Sequence, residues 1–287
     1  MATSIRGWNA LLTGATFGLG PYIARRLADA GANVALASRT TERLDAIAAE
    51  LKHKGVRAVT IPTDLRDPAA REALVSRARS ELGEIDILVN AAGLMHAGRL
   101  QKRTPREIEE LLEVNLVASM LLTRMLLPGM LERGRGRIVQ VASIAGKGGA
   151  AYLSLYAASK HGLVGFTHAL QGELHGTGVH ASVVCPGFMS GEGMWGRAKR
   201  RIHPLFGVSS PDRVARAVVT MIRRRQVEVV VNPLPIRYAF AMWTLMPRPT
   251  AAIFRLTGVA AFLRGFALQS EAESEQKSDT CESRPTT

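Results

Sequence analysis

Tyr156 and Lys160 stand four residues apart, and Ser143 precedes the tyrosine by thirteen. On a helix, a spacing of four puts two side chains on one face, one turn from each other. A phenol has a pKa of about 10 and is a poor acid or base at neutral pH. A nearby ammonium favours the phenolate and pulls that value down. With Ser143 holding a carbonyl oxygen by hydrogen bond, Tyr156 can deliver a proton to it. The pattern Tyr-x-x-x-Lys recurs by chance, so its weight comes from what precedes it.

What precedes it is a strand, a glycine-rich turn and a helix. Trp8 to Leu12 reads as a buried strand, and Thr13-Gly14-Ala15-Thr16-Phe17-Gly18-Leu19-Gly20 follows. A helical stretch then runs from Pro21 to Gly31. Three glycines permit a tight turn and let a pyrophosphate approach bare backbone, while the helix start offers unpaired N–H groups and the positive end of its dipole. Pro21 suits an early helical position, where no N–H is needed. An ordinary strand-to-helix turn is the alternative; the strand before and the helix after favour a nucleotide site.

Short apolar runs alternate with longer helical segments along the chain. The spacing predicts strands at 10–13, 33–38, 58–62, 87–90, 138–143, 181–186 and 227–232, with helical spacing over 42–54, 68–82, 107–133 and 154–175. Most of the runs are continuously apolar, as expected for parallel strands buried on both faces. Strand, helix, strand repetition implies an α/β fold with one doubly wound parallel sheet of about seven strands and a C-terminal helical extension.

Together these residues resemble the short-chain dehydrogenase/reductase family. The matching elements are the Thr-Gly-x-x-x-Gly-x-Gly loop at 13–20, Asp64, Asn90-Ala91-Ala92-Gly93, Asn115, Ser143, Tyr156 with Lys160, and Pro186-Gly187. They occur in the family's order over residues 6–232, the span expected to form a Rossmann-like catalytic domain that binds NADP(H). The resemblance implies hydride transfer between a nicotinamide and a carbonyl or secondary alcohol. Ser143 and Tyr156 would polarise the oxygen, and Lys160 would tune the tyrosine and bond the nicotinamide ribose. It further implies that Asp64 and Leu65 touch adenine, that Asn90 and Gly93 line the cofactor floor, and that Pro186-Gly187 pass beside the nicotinamide. Asn115 would hold a water linking Lys160 to solvent. The bland alternatives are a strand-end cap for Asn90, a plain turn glycine at 93 and a core-satisfied or helix-kinking Asn115. Many relatives carry a threonine five residues after that proline; here Gly191 occupies the place, beside Ser190.

The choice of cofactor is readable at the end of the second strand. An acid there would bond the ribose 2′-hydroxyl and repel a 2′-phosphate. Ser38 holds that position and Arg39 follows. A guanidinium pairs with phosphate through two bonds, so NADP(H) is expected ahead of NAD(H). The alternative for Arg39 is a solvated loop cation.

The chain has 287 residues and a net charge of +13. Residues 190–268 carry thirteen Lys/Arg against three acids, so the basic excess follows the catalytic segment. No recognition module accompanies it, and charge alone is a weak sign of nucleic-acid binding, which is not expected. Cys185 in a buried strand and Cys281 in a polar tail are not expected to pair, which suits a reducing compartment. Residues 1–7 lack an apolar signal run, so a cytoplasmic protein is expected, with peripheral membrane contact as a further reading. The histidines show no metal-ligand spacing and no metal is expected.

Residues 233–268 form an apolar extension punctuated by Arg237, Arg248, Arg255 and Arg264, and residues 269–287 form a polar tail expected to be disordered. No stretch of the extension reaches the length of a spanning helix. Two readings of it stay open. Short helices either cover the substrate pocket or pair subunits, or else they lie in an anionic membrane interface. An apolar cover suits a lipophilic carbonyl or alcohol substrate. By resemblance, helices near 107–131 and 154–175 pair subunits into a homodimer or homotetramer.

Overall fold

The apolar runs form strands β1 (Asn9–Thr13), β2 (Asn33–Ser38), β3 (Ala58–Pro62), β4 (Ile87–Asn90), β5 (Gly136–Val141), β6 (Val179–Pro186) and β7 (Glu228–Val231) in a computed structural model of the chain. The structure describes residues 2–191, 207–233, 242, 245–256, 258, 261–269 and 271. The strands make one parallel sheet in the order β3-β2-β1-β4-β5-β6-β7. Chain order therefore reverses between β1 and β4, where Leu12 pairs with Leu36 on one side and Val89 on the other. In such a sheet the crevice beyond the carboxyl ends of the strands at this reversal is the place for a ligand.

The sheet is buried on both faces because its runs supply apolar residues to both. Leu12, Val34 and Leu36 face Ile23 and Leu27 of α1 (Gly20–Asp29) and Val218 and Ile222 of α7 (Pro211–Arg224). Their neighbours Leu11, Ala35 and Leu88 face Leu74 and Ala78 of α3 (Pro68–Leu82) and Leu122 and Leu126 of α5 (Ala118–Glu132). Burying each Leu or Ile contributes roughly 1.5–3 kcal/mol, against about 0–1 kcal/mol for an exposed ion pair, so these two layers hold the fold. Other helices among the described residues include α2 (Thr41–Lys52), α4 (Pro105–Leu112), α6 (Ser154–Glu173) and α8 (Pro247–Leu256).

Helix starts follow their caps. Asp67 accepts from the N–H of Ala69 ahead of α3, and Ser210 accepts from that of Arg213 ahead of α7. Thr104 and Glu107 form a reciprocal capping box with Pro105 between them, which starts α4 two residues before the expected 107. The segment expected as one helix over 107–133 is divided by a π-turn at Glu113–Val117. Asn115 lies in this turn with its side chain fully buried and accepting from Leu94 N–H. The whole stretch Pro105–Glu132 is long and apolar enough to cross a membrane, yet Leu111, Leu122, Leu126 and Met130 are buried within the protein.

Beyond β7, helical residues 261–269 pack Leu263, Phe266 and Ala267 inward. The expected apolar extension thus returns to the body of the protein, and Glu271, inside the segment read as a polar tail, is buried. Cys281 and Arg237 lie outside the described residues.

Candidate active site

The glycine-rich turn is a cradle that side chains would fill. Gly14 sits at φ +67 and Gly18 at φ +58, in the left-handed region. A Cβ on Gly14 would stand 2.7 Å from the Cα of Ala92, and one on Gly20 would press into the Gly14 carbonyl and the Ala15 backbone. Helix α1 begins with Leu19 at its cap and no side-chain acceptor for its first N–H groups. Gly20 N–H is bonded to Phe17 O and Pro21 has none, so the helix offers an anion at the turn chiefly its dipole end.

A crevice of about 630 Å³ opens from this turn, lined among others by Thr16, Phe17, Ser38, Arg39, Leu65 and Gly93. Thr16 and Ser38 share a hydrogen bond of 2.6 Å across it. Arg39 lines the same space, and so does Arg43, a cation that the sequence reading passed over. Position 43 lies in the first turns of α2, directly after the β2 end, which is the signal that marks it. Asp64 also lines the crevice, but its carboxylate is forked onto Arg66, which in turn reaches Glu110 at 2.8 Å. The Arg66 hydrogen bonds hold the Asp64 carboxyl below the usual carboxylate range, and Arg39 adds to this.

Thr13 and Asn90, two residues expected to touch the cofactor, are not among the side chains that line the crevice. Thr13 is buried, and its hydroxyl accepts from the N–H groups of Ala91 and Ala92 at 3.2 and 3.3 Å. It fixes the 91–92 backbone against the glycine turn. Asn90 is buried with its amide donating to Ser119 O and Gln140 Oε1, while its Oδ1 lacks a protein partner.

Asn115 joins two segments of the site through its side chain. Its Oδ1 accepts from Leu94 N–H at 2.6 Å, and its amide donates to Leu94 O at 2.9 Å and Ser159 Oγ at 3.0 Å. Both amide donors are thereby committed to protein. The side chain bolts the 91–97 loop to the helix that carries Lys160. The side chain is thus satisfied by protein groups.

Ser143, Tyr156 and Lys160 come together at the ends of β5 and β6. Ser143 caps a single 3-10 turn, Ile144–Gly146, accepting from Ala145 N–H at 3.1 Å. A Cβ on Gly146 would stand 2.6 Å from the Lys160 carbonyl, so only glycine lets this turn lie directly on α6. That contact presents Ser143 to Tyr156, and the Ser143 side chain acts on the phenol to lower its pKa. Lys160 Nζ donates to the Val141 carbonyl at 2.9 Å and lies 5.7 Å from the centre of the tyrosine ring.

Electrostatics within the protein run against the simple expectation of an acidified phenol. Tyr156 is 8% exposed. Burial pushes its hydroxyl up to about 12, and the Ser143 hydrogen bond offsets only part of this. Burial likewise pushes Lys160 down to about 8. Loss of water disfavours both charged forms, and with Nζ turned to a carbonyl the ammonium does not overcome it. Cys185 lies behind the pair with its thiol pushed up to about 12 by burial, which leaves it an inert wall.

Pro186 and Gly187 leave β6 at the same edge. Gly187 N–H donates to Val231 O at 3.0 Å, and a side chain there would collide with Asn232 Oδ1. Gly191 has φ +86, a backbone that a threonine would strain, and Ser190 N–H is bonded to Ser209 O. Over Tyr156 lies an apolar cluster with Phe188, Leu153, Leu263 and Phe266. Phe262 meets Phe188 edge to face at 6.3 Å. No sequence motif marks these aromatic residues; their approach depends on how the extension folds back.

Comparison with known proteins agrees with this geometry. Residues 9–201 match the family model described as short chain dehydrogenase. The chain is 43% identical over 265 residues to the ketoacyl reductase HetN of Nostoc sp., covering 91% of this chain and 92% of that protein. A variant of the actinorhodin polyketide ketoreductase, solved with NADPH, superposes with a TM-score of 0.71 at 34% identity, covering 80% of this chain and 97% of the other. A metagenomic short-chain oxidoreductase in complex with NADP gives 0.70 at 33% identity, covering 81% and 100%.

Proposed function

The chain belongs to the short-chain dehydrogenase family, and on that premise we propose that it reduces the carbonyl of an apolar substrate with NADPH. It is an oxidoreductase acting between carbonyl and secondary alcohol. The carrying observation is that Ser143 acts on the Tyr156 hydroxyl while Lys160 Nζ, one turn along α6, lies 5.7 Å from the tyrosine ring. The cradle at Gly14 and Gly20 fits a pyrophosphate held by backbone, Arg39 and Arg43 fit a 2′-phosphate, Leu65 offers an apolar contact for adenine, and Gly93 lines the floor.

When bound, the dinucleotide supplies the hydride that the carbonyl carbon receives. Ser143 Oγ and the Tyr156 hydroxyl hold the carbonyl oxygen, where negative charge develops. With its hydroxyl pushed up to about 12, Tyr156 is protonated at neutral pH and donates that proton to the oxygen. Lys160, pushed down to about 8, keeps most of its charge at neutral pH and stabilises the phenolate left behind. Asn115 acts by holding the 91–97 loop against α6.

An apolar substrate is supported by Phe188, Leu263 and Phe266 around Tyr156. NADPH absorbance with ketones graded by chain length and ring size tests the proposal. Consumption rising with apolar size, and faster with NADPH than NADH, is the expected result. No consumption with any ketone contradicts it. Self-association through α5 and α6 belongs to the same proposal, since α5 leaves Met120 and Leu131 exposed.

A second reading concerns the outer side of the extension. Leu245 is 80% and Leu256 86% exposed, and residues 229–270 hold four arginines and no acid. We propose that this side lies on anionic lipid, with the leucines in the acyl boundary. Sedimentation with phosphatidylserine vesicles at low salt should carry the protein down. Replacing Leu245 and Leu256 by Glu should abolish this, and no sedimentation of the wild type contradicts the reading.

A further inference from the structure

Glu271 has no place in the function proposed above, yet it is 6% exposed on a chain-terminal segment. Its Oε1 accepts the backbone N–H of Arg99 at 2.7 Å. Its Oε2 lies 3.9 Å from Arg99 Nε and 3.9 Å from Lys102 Nζ. A carboxylate leaves water only where cations and donors replace the lost hydration. Three such groups meet it here, all from one short loop.

That loop is built to receive it. Gly98 sits at φ +148, and a Cβ there would stand 3.1 Å from Glu271 Oε1 and would collide with the Arg103 guanidinium. Arg103 is itself buried, donating to Ala97 O at 2.5 Å and pairing with Glu107 at 3.0 Å. Gly98 N–H donates to the Tyr152 carbonyl at 2.8 Å, which ties the loop to the residues just before the catalytic helix. The receiving surface is thus fixed to the body of the protein on both sides.

Immediately before Glu271 runs the helix 261–269, whose Leu263 and Phe266 lie in the cluster that holds Tyr156, and whose Phe262 meets Phe188. This helix is joined to β7 through a long segment, so its seat over the tyrosine depends on what pins its far end. We propose that Glu271 is a positioning residue that latches helix 261–269 onto the 97–103 loop, so that Phe262 and Phe266 form the apolar wall that selects the substrate. The inference rests on the ketone reduction proposed above and assigns its specificity to the end of the chain. The latch acts on the substrate's apolar part and leaves the carbonyl chemistry to Ser143 and Tyr156.

The test compares butanone with a long-chain methyl ketone at saturating NADPH, using the full chain. Glu271→Lys should raise KM for the long ketone about tenfold, the scale on which apolar pocket contacts discriminate. It should leave kcat for both ketones and KM for NADPH near wild type. Glu271→Gln keeps an acceptor for Arg99 N–H and should give an intermediate rise, which covers the case of a misfolded lysine variant. Phe266→Ala should reproduce the effect, and the double variant Glu271→Lys with Phe266→Ala should be no worse than the larger single one, since one wall is lost in each. Equal loss on both ketones, or unchanged discrimination in an active Glu271→Gln protein, overturns the latch. A wild-type protein that reduces neither ketone overturns the function beneath it.

Discussion

The glycine crevice and the apolar cap around Tyr156 are specified in different ways. The crevice is set by backbone: Gly14, Gly18 and Gly20 are places where another residue would collide or adopt a disfavoured φ. The cap is set by packing of Phe188, Phe262, Leu263 and Phe266, with a charged latch at Glu271. Steric exclusion permits one residue type, whereas an apolar wall accepts any side chain of about the right volume. The crevice should therefore respond to substitution in an all-or-none way, and the cap in a graded way that depends on the substrate.

The largest effect is expected at Gly20. Gly20→Ala forces a methyl into Gly14 O and the Ala15 backbone, and NADPH binding by fluorescence titration should vanish. Stability should fall by about 1–3 kcal/mol as for other overpacked sites. Retained binding would show that the turn is not held by exclusion. Next comes Arg39→Ala. Loss of a charge-assisted phosphate contact of about 1.5–3 kcal/mol should raise KM for NADPH by about 10–100-fold while leaving KM for NADH within about twofold. If Arg43 carries the phosphate instead, the Arg39 change will be small and Arg43→Ala will show the loss.

The smallest effect is one of pH. Lys160 is charged below about 8 and neutral above it, because burial lowers its value from that of a free lysine. Ketone kcat/KM should hold level through neutral pH and fall as pH rises through about 8, by up to about tenfold per unit. In Lys160→Arg, whose guanidinium stays charged, the residual activity should lack that fall. A fall that persists in this variant assigns the titration to another group.

The two regions also differ in how far the sequence discloses them. All seven strands stand within two residues of the runs expected from apolar continuity, since parallel strands buried on both faces leave that mark. Ser143, Tyr156 and Lys160 are brought together as their spacing implies, because a helix converts a separation of four into proximity. Three things escaped. The bolt that the Asn115 side chain makes between Leu94 and Ser159 depends on a loop and a helix distant from it in sequence. The phenol looked acidified by its lysine, but sequence carries no measure of desolvation, and burial dominates both groups. Glu271 looked like part of a polar tail, and only the fold reveals Arg99 and Lys102 waiting for it.

The central claim is that the Tyr156 hydroxyl gives the proton that completes carbonyl reduction. Tyr156→Phe removes one oxygen and keeps the ring in its apolar cluster. The decisive measurement is kcat for a ketone that the wild type reduces, made alongside NADPH affinity in the same variant. The account predicts a fall in kcat of about 10²–10⁴-fold with NADPH affinity unchanged. Full turnover in Tyr156→Phe would contradict it.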